Sequence, residues 1–251
     1  MDGAGPGRND DRCHGLIVQM MQSQAYRELA AAQMFGHGLR FVPRLEWLKF
    51  MTWHIREEME HYELVARAYR DLTGESVEPI VHARLQDKPI AFAESWYELA
   101  MAQFLYDRGG YWQLREYEAC SFEPYREMVE RIVREERGHQ AFGERIVVVL
   151  TRSGEHEAEK QALFERWLRQ GLLSFGRPET EASRFAVAHG LKKRDPGLVM
   201  QDFVDDIKPA VKACGLVFPP LDRIGITAPA GGLDLSLDGV DEARAEGYEP
   251  R

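Results

Sequence analysis

The hexamer R-E-E-x-x-H occurs twice in this chain, as REEMEH at residues 56–61 and as REERGH at residues 134–139. On an α-helix, residues three and four positions apart share a face. Each hexamer therefore places its second glutamate beside its histidine. The two pairs are Glu58 with His61 and Glu136 with His139. A single Glu-x-x-His pair is common on exposed helices, so the surroundings of each pair decide its meaning.

Both pairs lie on apolar helix faces. The first shares its face with Met51, Ile55, Tyr62 and Val65, and the second with Val129, Ile132, Val133, Phe142 and Ile146. A buried carboxylate is costly unless it has a partner. Two inward-facing Glu-x-x-His pairs offer oxygen and imidazole donors, which suit iron or manganese. The pattern predicts a two-metal site in a helical bundle, completed by one carboxylate from each of two further helices.

The first predicted helix supplies one of these carboxylates. Glu28 is its only acidic residue, lies on its apolar face and precedes Glu58 by 30 residues.

The third predicted helix offers more than one acid. If the two halves of the bundle are alike, its ligand should precede Glu136 by about the same 30 residues that separate the first pair. Asp107 precedes Glu136 by 29 residues, whereas Glu98 precedes Glu136 by 38 residues. Both acids have apolar neighbours on their faces, so we predict Asp107 on spacing and keep Glu98 as the alternative.

The predicted ligands, and therefore the predicted catalytic residues, are Glu28, Glu58, His61, Asp107, Glu136 and His139. The predicted cofactor is a pair of iron ions, with manganese at one or both positions as the alternative. The acids beside the ligands, Glu57, Glu60 and Glu135, are expected to be solvated or salt-bridged. The alternative is that one of them holds a ligand histidine by its free ring nitrogen. His37 and His54 are expected to be structural histidines.

The apolar periodicity along the chain predicts an all-α protein. Long helices are expected over residues 15–39, 43–72, 90–107 and 124–154, with further helices at 155–174 and 199–213 packed outside them. Gly109-Gly110 is expected to end the third helix, before a short helical piece over 111–119. We expect residues 1–14 to be disordered, 15–222 to form the helical domain and 223–251 to form an extended, loose tail.

The composition narrows the class of protein. The formal charge of −9 is unfavourable for non-specific nucleic-acid binding. The three cysteines, Cys13, Cys120 and Cys214, form no C-x-x-C pair, and their sparse, odd count fits a reducing cytoplasm. No apolar run is long enough to span a membrane, and the polar N-terminus has no signal-like apolar core. We expect a cytoplasmic protein without nucleic-acid or membrane partners.

Several segments resemble one known family. They are the two hexamers, WYELAMAQFLYDRGG at 96–110, SFEPYREMVERIVREERGH at 121–139, FGRPETEASRFAVAHGLKKRDP at 175–196 and GLVFPP at 215–220. Over residues 15–222 the chain resembles the ferritin-like di-iron proteins of phenylacetate catabolism, specifically the catalytic subunit of the phenylacetyl-CoA epoxidase. All six ligand positions are filled, which places the chain with catalytic rather than degraded subunits.

The resemblance implies a ferritin-like four-helix bundle with additional C-terminal helices. It also implies a monooxygenase that uses O2 as co-substrate, receives electrons from a reductase and associates into a homo- or hetero-oligomer. The substrate would be a small molecule, an aromatic acyl-CoA thioester whose ring is epoxidised. The basic residues Arg184, Lys192, Lys193 and Arg194 either contact CoA phosphates or are simply solvated. Two other functions stay open: a ferritin-like iron-handling or peroxide-reducing protein, and a non-catalytic structural subunit of an oxygenase.

Overall fold

The computed structural model describes residues 6–88 and 90–241, and these residues form helices and loops without a β-strand. The helices are α1 (Pro6–Gly38), α2 (Leu45–Thr73), α3 (Glu78–Asp87), α4 (Trp96–Ala102), α5 (Arg108–Arg115), α6 (Glu123–Arg152), α7 (Lys160–Leu173), α8 (Glu181–Ala188) and α9 (Pro196–Ala213). A π-helical segment, Gln103–Asp107, joins α4 to α5 without a break. Within the described residues, no helix is long and apolar enough to cross a membrane.

Four long helical units form the central bundle. Helix α1 packs along α2, and the continuous unit made of α4, the π segment and α5 packs along α6. Helix α7 packs on the outer side of α4, the π segment and α5, and α9 packs against α5 and α6. The predicted fold, an all-α ferritin-like bundle with additional C-terminal helices, is confirmed.

The bundle core is divided into two apolar clusters. Along α1, one cluster holds Met21 and Ala25 and the other holds Ala31 and Phe35. Along α6, the same clusters hold residues 125–133 and 142–148. Buried polar side chains lie between the clusters, at Glu28 on α1 and at Glu136, His139 and Gln140 on α6. The sequence therefore places a polar layer across the middle of an otherwise apolar bundle.

The third long unit differs from its predicted form. It begins at Trp96, where the Ser95 side chain accepts a hydrogen bond from the Glu98 amide, rather than at residue 90. It also continues through Gly109-Gly110, which was predicted to end it. A Cβ atom on Gly109 would lie 2.6 Å from the carbonyl oxygen of Gly171. Gly109 is therefore a contact point between α5 and α7, and its lack of a side chain serves packing instead of helix termination.

The N-terminal boundary and the C-terminal tail also differ from expectation. Helix α1 begins at Pro6, so residues 6–14 are helical instead of disordered, and residues 1–5 lie outside the described residues. The Arg12 guanidinium bonds Glu181 and lies over the Phe185 ring, which fixes this end of α1 on α8. The tail is extended, but through residue 237 it packs on the core instead of hanging loose. Residues 242–251 lie outside the described residues.

Two short helices, α3 and α8, were not predicted. In α3 only Val81 is buried, so the segment has little apolar periodicity to detect.

Helix α9 begins with an N-cap: the Asp195 carboxylate accepts hydrogen bonds from the Gly197 and Glu179 amides, each at 2.9 Å. Partial burial alone would raise the pKa of Asp195, but these amide hydrogen bonds outweigh it and lower that pKa.

Candidate metal centre

The six predicted ligands meet in the polar layer, and a seventh side chain joins them. Each of the six is at most 5% exposed. One ligand atom from each of Glu28, Glu58, His61 and Glu136 lies within 4.8 Å of the others in that group. The same holds for a second group, formed by His54, Asp107 and His139. The two groups are linked, because His139 Nδ1 is 3.5 Å from Glu58 Oε1 and 3.6 Å from Glu136 Oε2.

The two hexamer histidines direct the same ring nitrogen into the site. His61 Nδ1 lies 3.4 Å from Glu136 Oε1 and 3.7 Å from Glu28 Oε2. Neither His61 Nδ1 nor His139 Nδ1 has a hydrogen-bond partner, and both side chains are fully buried. Asp107 Oδ2 is likewise buried and without a hydrogen bond. Buried polar atoms without partners are rare, and these three converge on the same small volume.

The outer nitrogen of each histidine is held by the opposite hexamer. His61 Nε2 donates to Glu135 Oε2 at 2.7 Å, and His139 Nε2 donates to Glu57 Oε2 at 2.9 Å. Each acceptor is the first glutamate of the other R-E-E-x-x-H copy. A carboxylate on the outer nitrogen fixes the tautomer and turns the lone pair of Nδ1 inward, as in many metal sites. Glu57 and Glu135 were expected to be solvated or salt-bridged. The structure instead matches the alternative, an acid that holds a histidine by its outer ring nitrogen, and it does so for both acids.

The third-helix carboxylate of the site is Asp107. Glu98 is also buried, but its Oε1 accepts from Arg166 Nη1 at 2.6 Å and from Trp167 Nε1 at 3.2 Å. Those contacts hold Glu98 against α7, away from the histidines. On the first helix, Gln24 Nε2 donates to Glu28 Oε1.

His54 lies inside the site, although it was predicted to be structural. Its Nε2 is 2.9 Å from Glu58 Oε1 and 3.5 Å from Asp107 Oδ2. Its Nδ1 is 2.9 Å from the amide of Gln103. The His54 and His139 ring centroids are only 3.7 Å apart. The sequence signal is positional, since His54 stands four residues before Glu58 and therefore on the same face of α2, but a histidine on that face was interpreted as structural.

The backbone of the π segment is in close contact with the backbone of α6 at Gly143. A Cβ atom on Gly143 would lie 2.5 Å from the Phe104 backbone nitrogen and 2.8 Å from the Gln103 carbonyl carbon. Gly143 therefore lets the backbone of α6 touch the segment that carries Gln103 and Asp107. π-Helical turns insert an extra residue into a helix and are frequent at functional sites.

The pKa values of the site divide its side chains by charge. Burial, reinforced by the Glu136 charge, holds the pKa values of Glu58 and Asp107 well above their usual range. Burial alone would lower the pKa of His61, but its contacts with Glu136 and Glu28 outweigh that effect and raise it to about 12. The pKa of His139 is raised against burial in the same way, chiefly by Glu136.

Two further pKa shifts complete the pattern. Burial would raise the pKa of Glu136, but the two imidazoles lower it below its usual range. Burial and the nearby His139 hold the pKa of His54 well below its usual range. In the metal-free site, protons therefore supply the positive charge that the carboxylates require. Metal ions and protons must compete for the same atoms.

A small cavity of about 20 Å³ lies beside the carboxylates. Its walls combine Glu28, Glu58, Asp107 and Glu136 with Gln24, Arg27, Ala31, Tyr106, Gly110 and Leu114. A second cavity of about 100 Å³ shares Tyr106 and is otherwise lined by Tyr26, Ala30, Met34, Ile90, Ala91, Trp167 and Gln170. None of the residues Met51, Gln103, Phe104 and Phe142 lines the cavity beside the carboxylates.

The basic residues near 184–194 are paired with protein groups. Lys193 Nζ bonds Glu118 at 3.0 Å, and Arg194 Nη2 lies 2.7 Å from both Glu116 and Asp202. Arg184 bonds the Glu179 carbonyl. These contacts use the charges in holding α8 and α9 to the bundle, so they do not favour a phosphate-binding role.

The donor set fits a pair of divalent metal ions. Four carboxylates can balance the charge of two divalent ions, while the neutral imidazoles present unpartnered Nδ1 atoms toward the same volume.

Comparison with known proteins identifies one family. No curated protein matches the chain. The sequence profile described as phenylacetic acid catabolic protein matches residues 49–229, which is more than half of the chain and includes both hexamers and Asp107. The chain therefore belongs to the phenylacetic acid catabolic protein family.

Proposed function

We propose that this protein is a non-haem di-iron monooxygenase that acts in phenylacetate catabolism. The observation that carries the proposal is the convergence of two imidazoles and four carboxylates on one buried volume, with three of their polar atoms unpartnered. Iron is the preferred metal, with manganese as the alternative, because oxygen and imidazole donors suit both. When bound, two reduced iron ions supply the electrons and the open positions that O2 activation requires.

The protein's own residues position this chemistry. Glu58 and Glu136 lie beside both groups and would hold the metal ions together with Glu28 and His61 on one side and Asp107 and His139 on the other. Glu57 and Glu135 hold the outer nitrogens of the histidines. Because the layer lies between two apolar clusters, water is largely excluded from the ligand side chains.

We propose that the substrate is an aromatic acyl-CoA thioester whose ring is epoxidised. The family match supports the phenylacetate class of compound. The cavity beside the carboxylates supports the position, since it is the space that adjoins Glu28, Asp107 and Glu136 directly. The second cavity shares Tyr106 with the first and marks the direction in which a larger molecule would extend. The thioester chain would then leave the site past Tyr106.

The electron balance of the reaction requires a partner. One O2 molecule, two electrons and two protons convert the substrate into its epoxide and one water. A reductase is therefore part of the proposal, as is association of this chain with itself or with related subunits. The three free cysteines fit a reducing cytoplasmic compartment.

The test is a reconstituted turnover assay. The protein is loaded anaerobically with ferrous iron, supplied with a flavin or iron–sulfur reductase, NAD(P)H and ¹⁸O2, and offered phenylacetyl-CoA. We expect a product heavier by one ¹⁸O atom, lost in Glu136→Ala and kept in Glu60→Gln, which lies outside the ligand set. Consumption of peroxide or iron without oxygen transfer would favour an iron-handling or peroxide-reducing protein. Purified protein that retains no metal would favour a structural subunit.

A further inference from the structure

The two halves of the metal centre are not equivalent, and His54 is the difference. The repeated hexamers give α2 and α6 one imidazole each, His61 and His139. Only α2 carries another histidine one turn before its glutamate, because the matching position on α6, four residues before Glu136, is Ile132. His54 is 0% exposed.

We infer that His54 is a third imidazole ligand, which binds through Nε2 to the metal ion held by Asp107 and His139. This inference rests on the proposed di-metal site. The metal position on that side then has two nitrogen donors, whereas the position beside Glu28 and His61 has one.

The distances around His54 Nε2 suit a shared ion. Donor atoms bound to one ion at about 2.1 Å and at roughly 90–110° to each other lie roughly 3.0–3.4 Å apart. His54 Nε2 lies 2.9 Å from Glu58 Oε1 and 3.5 Å from Asp107 Oδ2. His139 Nδ1 lies 3.5 Å from the same Glu58 oxygen. These three distances lie within about 0.1 Å of the spacing expected for ligands of a single ion.

The unpartnered atoms lie on the same side. Asp107 Oδ2 and His139 Nδ1 are both buried without a hydrogen bond. Both belong, with His54, to one group of side chains whose ligand atoms lie within 4.8 Å of one another. An ion there would contact all three, so the position is defined by two atoms that lack partners and a third that faces them.

Gln103 can hold His54 in the tautomer that ligation needs. Its amide lies 2.9 Å from His54 Nδ1, and its carbonyl oxygen is buried without a partner. Rotating the amide by 180° exchanges its oxygen and nitrogen, so the oxygen accepts a hydrogen bond from Nδ1–H. Nε2 then carries the lone pair and faces Glu58 and Asp107. His54 would be oriented by an amide, where the hexamer histidines are oriented by carboxylates.

The alternative role for His54 is positioning, in which Nε2–H donates a hydrogen bond to Glu58 and touches no metal. The two roles differ in what can replace the side chain. A glutamine at this position can donate a hydrogen bond to Glu58 but supplies no nitrogen ligand. A phenylalanine keeps the ring packing against Phe35, whose centroid lies 4.4 Å away, and removes both functions.

The experiment is anaerobic titration of the metal-free protein with ⁵⁷Fe(II), read by equilibrium binding and Mössbauer spectroscopy. The proteins are the wild type, His54→Gln, His54→Phe and the control His37→Gln, whose histidine lies outside the site beside Arg40 and Phe92. Thermal melting of each metal-free variant checks the fold. We expect two ions per wild-type chain and two distinct quadrupole doublets, with the control unchanged.

Both His54 variants should weaken one binding step at least about tenfold and alter one doublet while the other is retained. If His54→Gln binds iron with wild-type affinity and gives both wild-type quadrupole doublets, the inference is overturned in favour of the positioning role. Two ions with unchanged spectra in both variants would also overturn it and leave the oxygenase proposal standing. A wild-type chain that binds no iron would overturn both.

Discussion

Gly143 is the point where the backbone of α6 touches the π segment, and adding one methyl group there tests how that contact shapes the site. The Cβ of Gly143→Ala would lie 2.5 Å from the Phe104 nitrogen, so the two backbones must separate by about 0.9 Å to reach an ordinary 3.4 Å contact. Overpacking of this kind costs roughly 1–3 kcal/mol. Alanine recovers roughly 0.5–1 kcal/mol of helix propensity.

We therefore expect Gly143→Ala to reduce the free energy of unfolding by roughly 1–2 kcal/mol in urea denaturation followed by circular dichroism. The displaced segment carries Gln103 and Asp107, so metal affinity should fall as well. The matched control is Gly138→Ala, on the same helix. Its Cβ would meet nothing within 4 Å, so it should stabilise the protein by roughly 0.5–1 kcal/mol and leave metal affinity unchanged.

The two variants discriminate because they make the same chemical change one turn and a half apart. Equal stabilisation by both would refute the reasoning, since it would mean that the close approach at Gly143 does not exist. A destabilised Gly143→Ala with full metal affinity would refute the narrower claim that this contact positions the π segment for the site.

Three further predictions concern single side chains. Glu57→Gln removes the charge that holds His139 and should weaken metal binding by about 10–100-fold in chelator competition; Glu60→Gln, in the same hexamer but outside the site, should not. Arg108→Ala removes the guanidinium that contacts Glu144 and Asp206 and should reduce the free energy of unfolding by roughly 1.5–3 kcal/mol in urea denaturation; a loss below about 1 kcal/mol would contradict this. Asp195→Ala removes the α9 cap and should cost about 0.5–2 kcal/mol near pH 7. Because the pKa of Asp195 is lowered on folding, this contribution exists above about pH 4 and should disappear in denaturation curves at lower pH.

The six candidate ligands could be selected from the sequence because their signal is local and repeated. Each Glu-x-x-His pair is defined by helix periodicity alone, and the repeat made chance less plausible. Glu28 followed because it is the only acid in the predicted first helix, residues 15–39, and Asp107 followed from the spacing between the halves. None of these steps required knowledge of how the helices pack.

The surroundings of the ligands could not be predicted in the same way. The bonds from His61 to Glu135 and from His139 to Glu57 join different helices, so their pairing depends on how α2 and α6 face each other. The continuation of the helix through Gly109 depends on α7, which lies far away in sequence. His54 is different, since it shares a face with Glu58 and could have been included by the rule that selected His61.

The central claim is that six side chains surround two metal ions within the bundle. Crystals of the protein grown anaerobically with ferrous iron, measured on both sides of the iron absorption edge, test it directly. We predict two anomalous peaks per chain, each about 2.0–2.6 Å from its nearest ligand atoms and both flanked by Glu58 and Glu136, with His61 at one peak and His139 at the other. Iron peaks elsewhere on the chain, or none among these residues, would contradict the account.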